Sequence, residues 1–342
     1  MIPAPVILIL FIIFIALVFD FTNGFHDSAN SISTVVSTKV LSPRNAVVFA
    51  AFFNFIAVFG FGVAVANTIS KTINLDSVPA DVIPWIILSA LSGAIIWNII
   101  TWFIGLPTSS SHALIGGLMG AGLSAAGIAA IHWSTIGLVV AFMILSPLIG
   151  LTVGFAFMAV VLWLTRSAQK VTADHYFKKL QLCSAAAYSF SHGTNDAQKT
   201  MGIITPLLFS IGYYGASVDV ENLPVPLWVI LICYAAIALG TLSGGWRIVK
   251  TMGYKITRLR PVHGFAAETA SAGTIIGASA LGIPVSTTQV ICASIMGVGS
   301  TTGSSVVKWG VARSIMWAWV FTIPISALIG FIVFFGLRII AS

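Results

Sequence analysis

The chain of 342 residues has few charged side chains. Asp, Glu, Lys and Arg make up 7% of it, against roughly a quarter in soluble domains, and apolar residues make up 58%. This composition excludes an ordinary soluble domain. Apolar runs of about 20 residues recur along the whole chain, which is the length that crosses a bilayer as a helix. We therefore expect an all-α, polytopic helix bundle in the cell membrane, with the lipid bilayer around it.

Several signals of enzymes are also missing. Cys183, Cys233 and Cys292 stand in apolar stretches without a CxxC spacing, so we expect them to pack as small apolar residues. There is no Gly-Lys-Ser/Thr loop and no His/Cys cluster with metal-ligand spacing. Met-Gly-x-Gly at 119–122 and at 296–299 is too short for a dinucleotide site and is typical of close helix packing. The sequence predicts neither an enzyme nor a cofactor.

The net charge of +7 comes mainly from basic residues in short loops. Such charge orients membrane helices, so it does not indicate a nucleic-acid partner. The loops at 166–180 and 247–261 are the most basic, and we expect both to be cytoplasmic. With an odd number of crossings in each half, 13 of the 16 basic residues then fall inside and both termini lie outside the cell. The first apolar run has no basic residue before Lys39, so we expect a retained helix and not a signal peptide.

The polar residues recur in two copies. Asn-Gly-Phe-His-Asp-Ser-Ala-Asn at 23–30 matches His-Gly-Thr-Asn-Asp-Ala-Gln-Lys at 192–199, with the two aspartates 169 residues apart. Gly-Leu-Pro-Thr-Ser-Ser-Ser at 105–111 matches Gly-Ile-Pro-Val-Ser-Thr-Thr at 282–288, 177 residues later. The chain is therefore interpreted as a duplication: a repeat at 1–165, a linker at 166–180 and an inverted repeat at 181–342. In such membrane proteins the substrate site lies where the repeats meet.

The apolar runs predict five elements in each half. In the first half they cover 4–38, 45–68, 83–105, 109–131 and 134–165. In the second half they cover 181–216, 226–246, 262–282, 286–303 and 307–338. We expect the first element of each half to be interrupted at its polar segment, 23–30 or 192–199, called its signature below. The pieces joined at Pro107 and Pro284 are either separate spans or re-entrant hairpins, giving about 10–12 membrane helices.

A run of hydroxyl side chains follows a helix-breaking proline in both halves. Proline ends one helix, and the hydroxyls begin the next. Free N–H groups and the positive dipole end at a helix start favour an anion, and hydroxyls add donors without fixed charge. Ordinary N-capping needs only one hydroxyl, so the runs indicate a cradle for a small oxyanion, and phosphate fits it. Its predicted residues are Thr108, Ser109, Ser110, Ser111, Ser286, Thr287 and Thr288.

The two repeated aspartates are predicted to bind coupling cations. An intramembrane carboxylate is costly unless it is paired or hydrated. Phosphate also needs compensating positive charge, and neither hydroxyl-rich helix tip, 108–111 or 286–288, contains an arginine. Carboxylate and amide oxygens suit sodium, and carbonyls exposed at helix breaks would supply more ligands. The predicted ligands are Asn23, Asp27, Asn30, Asn195 and Asp196.

Other polar residues are accessory candidates: His26, His192, Lys199, Gln289 and Glu268. The histidines are interpreted as hydrogen-bond partners, with proton transfer as the alternative. Lys199 either offsets charge near Asp196 or has only a structural role. A proton-coupled carrier would use a histidine or Glu268. Sulfate transport is a further alternative, and a channel is disfavoured by broken helices in inverted halves.

These motifs resemble those of the inorganic phosphate transporter (PiT) family of cation-coupled symporters. The residues that carry the resemblance lie at 23–30, 192–196, 107–112 and 284–289, and the similarity spans nearly the whole chain. The resemblance implies uptake of inorganic phosphate by alternating access, driven by sodium or protons. It also implies inverted repeats and a homodimer. The second signature departs from the first with Ala197 and Lys199, so the two cation sites need not be equivalent.

Overall fold

The structure is a computed structural model, and it describes residues 6–60, 62–167, 169–215, 219 and 222–341. Helices hold 83% of the chain, and the prediction of an all-α membrane fold is confirmed. The first five residues and Ser342, whose side of the membrane is predicted above, lie outside the described residues.

Every predicted element has a helical counterpart. In the first half the helices are α1 (Val6–Ser37), α2 (Pro43–Ile56), α3 (Ala64–Ser70), α4 (Ile83–Ile104), α5 (Ser110–Ala126) and α6 (Trp133–Leu164). In the second half they are α7 (Lys170–Ser210), α8 (Leu227–Ser243), α9 (Trp246–Lys250), α10 (Pro261–Ala280), α11 (Thr287–Ser300) and α12 (Trp309–Ala341). The linker predicted at 166–180 is helical from Lys170 onwards and forms the start of α7.

The predicted interruptions at the two signatures are wrong. Both α1 and α7 run through their signatures as continuous α-helices. The glycines in them serve close packing instead of a break. A Cβ on Gly24 would lie 2.2 Å from the carbonyl oxygen of Ile237, and one on Gly193 would lie 2.5 Å from that of Asn54. An unbroken helix also satisfies its own backbone, so carbonyl groups exposed by a break are not available there as cation ligands.

The breaks occur instead in the second element of each half. The axes of α2 and α3 differ by 87°, and the axis changes by 59° between α8 and the segment that begins with α9. Gly244 and Gly245 separate α8 from α9, and Gly244 has a φ of 72°, which is a conformation that favours glycine. The glycine pair is the sequence signal for this break.

The outer surface fits a bilayer. Within the described residues, five helices are long and apolar enough to cross a membrane, or seven if each bent pair counts as one span. Large apolar side chains are exposed along α6 and α12, among them Ile144, Leu148, Leu328 and Phe335. Polar side chains of α1 and α7 are buried in the interior. Apolar side chains face outward where lipid replaces water, as expected of a membrane bundle.

The two halves are interleaved, and their packing has a repeated pattern. α1 packs against α8 and α7 against α2, while α5 packs against α12 and α11 against α6. Each contact has a counterpart when the halves are exchanged. Equivalent glycines mark close approaches of these helices: a Cβ on Gly120 would lie 1.8 Å from the oxygen of Ala327, and one on Gly297 would lie 2.1 Å from that of Leu151. The interpretation of Met-Gly-x-Gly as a packing motif is therefore confirmed.

Candidate functional site

The first signature places its polar side chains on one face of α1. Asn23, Asp27 and Asn30 recur at intervals of four and three residues, so they share a face of the helix. Each is at most 1% exposed. Because these polar side chains are buried, they require partners from the rest of the protein.

The tip of α5 supplies those partners. Ser109 is the N-cap of α5, and its hydroxyl accepts a hydrogen bond of 3.2 Å from the backbone N–H of His112. Ser110 follows and donates from Oγ to Asn23 Oδ1 at 2.6 Å and to Asp27 Oδ2 at 3.1 Å. A hydroxyl of the predicted phosphate cradle is thus in direct contact with the predicted cation ligands of the same half.

His26 joins the same cluster. Its Nδ1 lies 2.7 Å from Asp27 Oδ1, and its Nε2 lies 3.4 Å from Thr108 Oγ1. Thr108 Oγ1 donates to Thr101 Oγ1 at 2.9 Å, and Thr101 Oγ1 is also 3.3 Å from His26 Nε2. Thr101 was not predicted, because a single threonine near the end of an apolar helix has no distinguishing pattern.

The second signature forms an equivalent cluster on α7. Lys199 Nζ donates to Asp196 Oδ1, and His192 Nε2 lies 3.2 Å from Asp196 Oδ2. Thr287, in the first turn of α11, donates from Oγ1 to Asp196 Oδ2 at 3.4 Å. All four side chains are at most 1% exposed. Each predicted aspartate therefore contacts a histidine of its own signature and a hydroxyl from the tip that follows it.

The tip of α11 is built like that of α5. Ser286 is its N-cap and accepts a hydrogen bond of 3.2 Å from the backbone N–H of Gln289. The hydroxyls of both N-cap residues can still donate, because capping uses only their acceptor lone pairs. At a helix start the first N–H groups also have no intrahelical acceptor. Both tips therefore keep donors for an anion.

The two tips touch each other and the opposite half. Ser111 Oγ, at the start of α5, donates to the carbonyl oxygen of Val285 at 3.4 Å. Asn30 Nδ2, on α1, donates to Thr288 Oγ1 on α11 at 2.8 Å. The hydrogen-bonding pattern orients the Asn195 amide so that its Nδ2 donates to Val285 O at 3.1 Å and to Asp196 Oδ1 at 3.3 Å. The signatures and the tips of both halves thus form a single buried site.

The acidic groups of the two halves meet at the centre of this site. Asp27, His192 and Asp196 each have a ligand atom within 4.8 Å of those of the other two, and all three side chains are buried. Oxygen and imidazole ligands at this separation can hold a metal cation. Two carboxylates and one lysine carry a net negative charge, which would repel an anion bound at the nearby helix starts. A bound cation would offset this repulsion.

Some buried polar atoms in this region have no hydrogen-bond partner in the described part of the chain. Among them are Asn23 Nδ2, Asn30 Oδ1, His112 Nδ1, His192 Nε2 and both polar side-chain atoms of Gln289. Buried polar groups are normally satisfied, so such atoms indicate places where a ligand or water completes the site. Asn23 Nδ2 and the Gln289 amide can donate to an anion, and Asn30 Oδ1 can accept from a cation.

Glu268 belongs to a separate cluster. Its Oε2 accepts from Ser184 Oγ at 2.5 Å, and its Oε1 accepts from Gln181 Nε2 at 3.1 Å. Thr38 Oγ1 donates to Gln181 Oε1 at 2.9 Å, which links the cluster to the residue after α1. Glu268 thus lies on the side of α10 that faces α7, with partners other than the two signature aspartates.

Several supporting residues were not predicted. His192 Nδ1 lies 3.2 Å from Asn54 Oδ1, and Asn54 Nδ2 donates to Thr241 Oγ1 at 2.9 Å. Ser279 Oγ donates to the Asn195 amide oxygen at 2.9 Å. Asn54 is an isolated amide in an apolar helix, which is a usable signal, because such an amide must find a partner in the bundle. Ser279 and Thr241 give no comparable signal.

The chain is similar to known transporters over nearly its whole length. Residues 23–330 match the model of the phosphate transporter family. A Rhizobium meliloti protein named "Probable low-affinity inorganic phosphate transporter" is 51% identical over 96% of both chains, and a Bacillus subtilis protein of the same name is 44% identical over 98% of both. A solved structure titled "The sodium-dependent phosphate transporter" aligns with a TM-score of 0.87 and 26% identity, over 97% of this chain and 99% of that one. The predictions of a membrane transporter and of a non-enzymatic function are confirmed, and the chain belongs to the phosphate transporter family.

Proposed function

We propose that the protein is a sodium-coupled symporter of inorganic phosphate that works by alternating access. The observation that carries this proposal is the convergence of the two hydroxyl tips on the two signature aspartates. Ser110 contacts Asp27, Thr287 contacts Asp196, and Asn30 joins Thr288 across the halves. Anion donors and cation ligands in one buried site are what coupled binding of an anion and a cation requires.

Phosphate binds between the starts of α5 and α11 in this proposal. The donors are the hydroxyls of 108–111 and 286–288 and the N–H groups of the first helical turns. Ser110 and Thr287 donate to carboxylates in this structure, so both redirect their hydroxyls when phosphate enters. This redirection couples the anion to the cation, because a carboxylate that loses a donor gains affinity for a positive ion.

Sodium is the proposed coupling ion. Asn23, Asp27, Asn30, Asn195 and Asp196 bring oxygen atoms to the site, and hard oxygen ligands suit a small hard cation. The solved structure that aligns with this chain is titled as sodium-dependent, which supports the same assignment.

A proton-coupled mechanism is the second candidate, because His26 lies 2.7 Å from Asp27 and His192 lies 3.2 Å from Asp196. A histidine beside a carboxylate can carry a proton.

The proposed conformational change is a movement of the two halves relative to each other. The contact of α1 with α8 and the contact of α7 with α2 are counterparts in the two halves, which supports two repeats related by a two-fold axis. Repeats of inverted topology would expose the same site to either side in turn. The repeat boundaries at 1–165 and 181–342, the external termini and the homodimer remain predictions of this proposal.

Binding to the purified protein tests the proposed substrates. Radiolabelled phosphate is added to detergent-solubilised protein in sodium or potassium chloride of equal ionic strength, with sulfate as a competitor. We expect saturable phosphate binding that is tighter in sodium and that excess sulfate does not displace. Binding that is equal in both salts would contradict sodium coupling, and displacement by sulfate at similar concentration would point to the sulfate alternative.

A further inference from the structure

The two signatures differ at one position that bears directly on charge. Residue 30 and residue 199 are equivalent in the duplication, and each follows its signature aspartate by three residues. Residues three apart are neighbours on one helix face, so each lies beside its aspartate. In the first half this neighbour is the neutral amide of Asn30. In the second half it is the ammonium group of Lys199.

At the first position the protein leaves an acceptor open. Asn30 is 1% exposed, and its Nδ2 donates to Thr288 Oγ1 at 2.8 Å. Its Oδ1 has no hydrogen-bond partner in the described part of the chain. Within the described part of the chain, Asp27 is hydrogen-bonded to His26 and Ser110, neither of which carries a permanent charge, and the nearby Asp196 is itself paired with Lys199. A buried carboxylate without a permanent positive partner, beside an open amide oxygen, is suited to an ion that comes from solution.

At the second position the protein supplies the positive charge itself. Lys199 has no exposed surface, and its Nζ contacts Asp196 Oδ1. The other carboxylate oxygen accepts a hydrogen bond of 3.4 Å from Thr287 Oγ1, and His192 Nε2 lies 3.2 Å from it without a hydrogen bond. Both oxygens of Asp196 therefore have partners within the protein. An ammonium group is similar in charge and donor chemistry to a bound monovalent cation, but it is tethered to the chain.

We infer that Lys199 is a built-in replacement for one of two coupling cations. The inference rests on the proposed sodium symport. This narrows the sodium ligands of the proposed function to those of the first signature, Asp27 and Asn30, because the Lys199 ammonium group takes the cation position beside Asp196. The protein then binds one coupling sodium ion for each phosphate. Lys199 moves with α7 and is not released to the other side of the membrane, so its charge stabilises phosphate without adding to the driving force.

Replacement of Lys199 by the residue of the equivalent position tests the inference. Lys199→Asn gives both signatures the same Asp and Asn pair, which frees Asp196 for a second sodium ion. The measurement is the initial rate of phosphate uptake into proteoliposomes at different sodium concentrations. We expect the kinetic order of this rate in sodium to be higher by one in the variant than in the wild type. Sodium should also raise the melting temperature of the purified variant more than that of the wild type, because a ligand that binds only the folded state stabilises it. Lys308→Asn makes the same substitution at an exposed lysine and is the matched control.

The outcomes separate this inference from the proposed function. Wild-type uptake without any sodium dependence would overturn sodium symport, and a Lys199→Asn variant that then acquires such dependence would still support the role of Lys199. A folded, active variant with the wild-type order and the wild-type sodium-induced melting shift would overturn the inference. If the variant does not fold, radiolabelled sodium bound to the wild type at saturating phosphate decides: one ion per protein supports the inference, and two ions overturn it.

Discussion

Asn30 Nδ2 donates a hydrogen bond of 2.8 Å to Thr288 Oγ1, although 258 residues separate the two. The bond joins the signature of the first half to the hydroxyl tip of the second. It brings a predicted cation ligand into direct contact with a predicted phosphate ligand. A change in either ligand can therefore be transmitted to the other without a long pathway.

Asp27→Asn should weaken the sodium dependence of phosphate uptake. The substitution keeps the shape of the side chain and removes the charge that balances a cation. A buried charge-assisted contact contributes about 1.5–3 kcal/mol, which is roughly a ten- to hundredfold loss of sodium affinity. The measurement is the sodium concentration for half-maximal uptake. Asp219→Asn, at an exposed loop residue, is the control. Unchanged sodium dependence in Asp27→Asn would leave Asp27 with only a structural role.

The hydroxyls of the tips should contribute to phosphate affinity individually but modestly. Ser110→Ala and Thr287→Ala each remove one donor and leave the backbone N–H groups and helix dipole in place. We expect a loss of about 1 kcal/mol, or roughly fivefold in the apparent phosphate affinity, for each. Ser305→Ala, at an exposed serine, should have no effect.

Replacement by aspartate is the sharper test of the same site. Ser110→Asp or Thr287→Asp puts a fixed negative charge where phosphate is proposed to bind, so uptake should be almost abolished. Size-exclusion chromatography and melting curves show whether the variant is folded. Normal uptake by folded aspartate variants would place the phosphate site elsewhere.

The close helix contacts of α5 and α11 should tolerate no added methyl group. Gly120→Ala and Gly297→Ala drive a Cβ into the backbone of α12 and α6, where the built distances to the nearest oxygens are 1.8 and 2.1 Å. Overpacking of this kind costs about 1–3 kcal/mol, so both variants should melt at lower temperature. Gly336→Ala lies in α12 with open space around its Cβ and should melt like the wild type. Equal melting temperatures for all three variants would contradict the packing described here.

The predicted topology can be tested by labelling. In a background without the three native cysteines, cysteine at Ser167 or at Asp219 should react with an impermeant thiol reagent from opposite sides of the membrane. Both positions are exposed, so reagent access depends only on the side. The basic loop that contains Ser167 should label from the cytoplasmic side. Labelling of both positions from the same side would refute the inverted arrangement of the halves.

The sequence predicted the helices and most of the polar residues that the structure brings together, but not where the chain bends. The bounds of the apolar helices were predicted well where glycine or proline marks them, as at Gly105, the C-cap of α4, and at Pro261, the first residue of α10. The polar runs at 23–30 and 192–199 were read as breaks because they interrupt apolar stretches. Their side chains instead find partners inside the bundle, so the helices continue.

Long-range partners were the part that the sequence could not supply. The contact of Asn54 with His192 joins positions 138 residues apart, and nothing in either segment specifies the other. The duplication did indicate that the two tips and two signatures share one site, because equivalent positions in two repeats lie close together near a symmetry axis. The asymmetry between Asn30 and Lys199 was visible in the sequence, but its consequence depends on the contacts of Asp196.

Phosphate uptake into proteoliposomes, with sodium and proton gradients imposed separately, tests the central claim most directly. An inward sodium gradient at equal pH on both sides should drive accumulation of radiolabelled phosphate, because the site must bind a cation to hold the anion. A pH gradient without sodium should not drive it. Accumulation that follows the pH gradient and is unchanged when sodium is absent would contradict the account and assign the coupling to protons at the histidine–aspartate pairs.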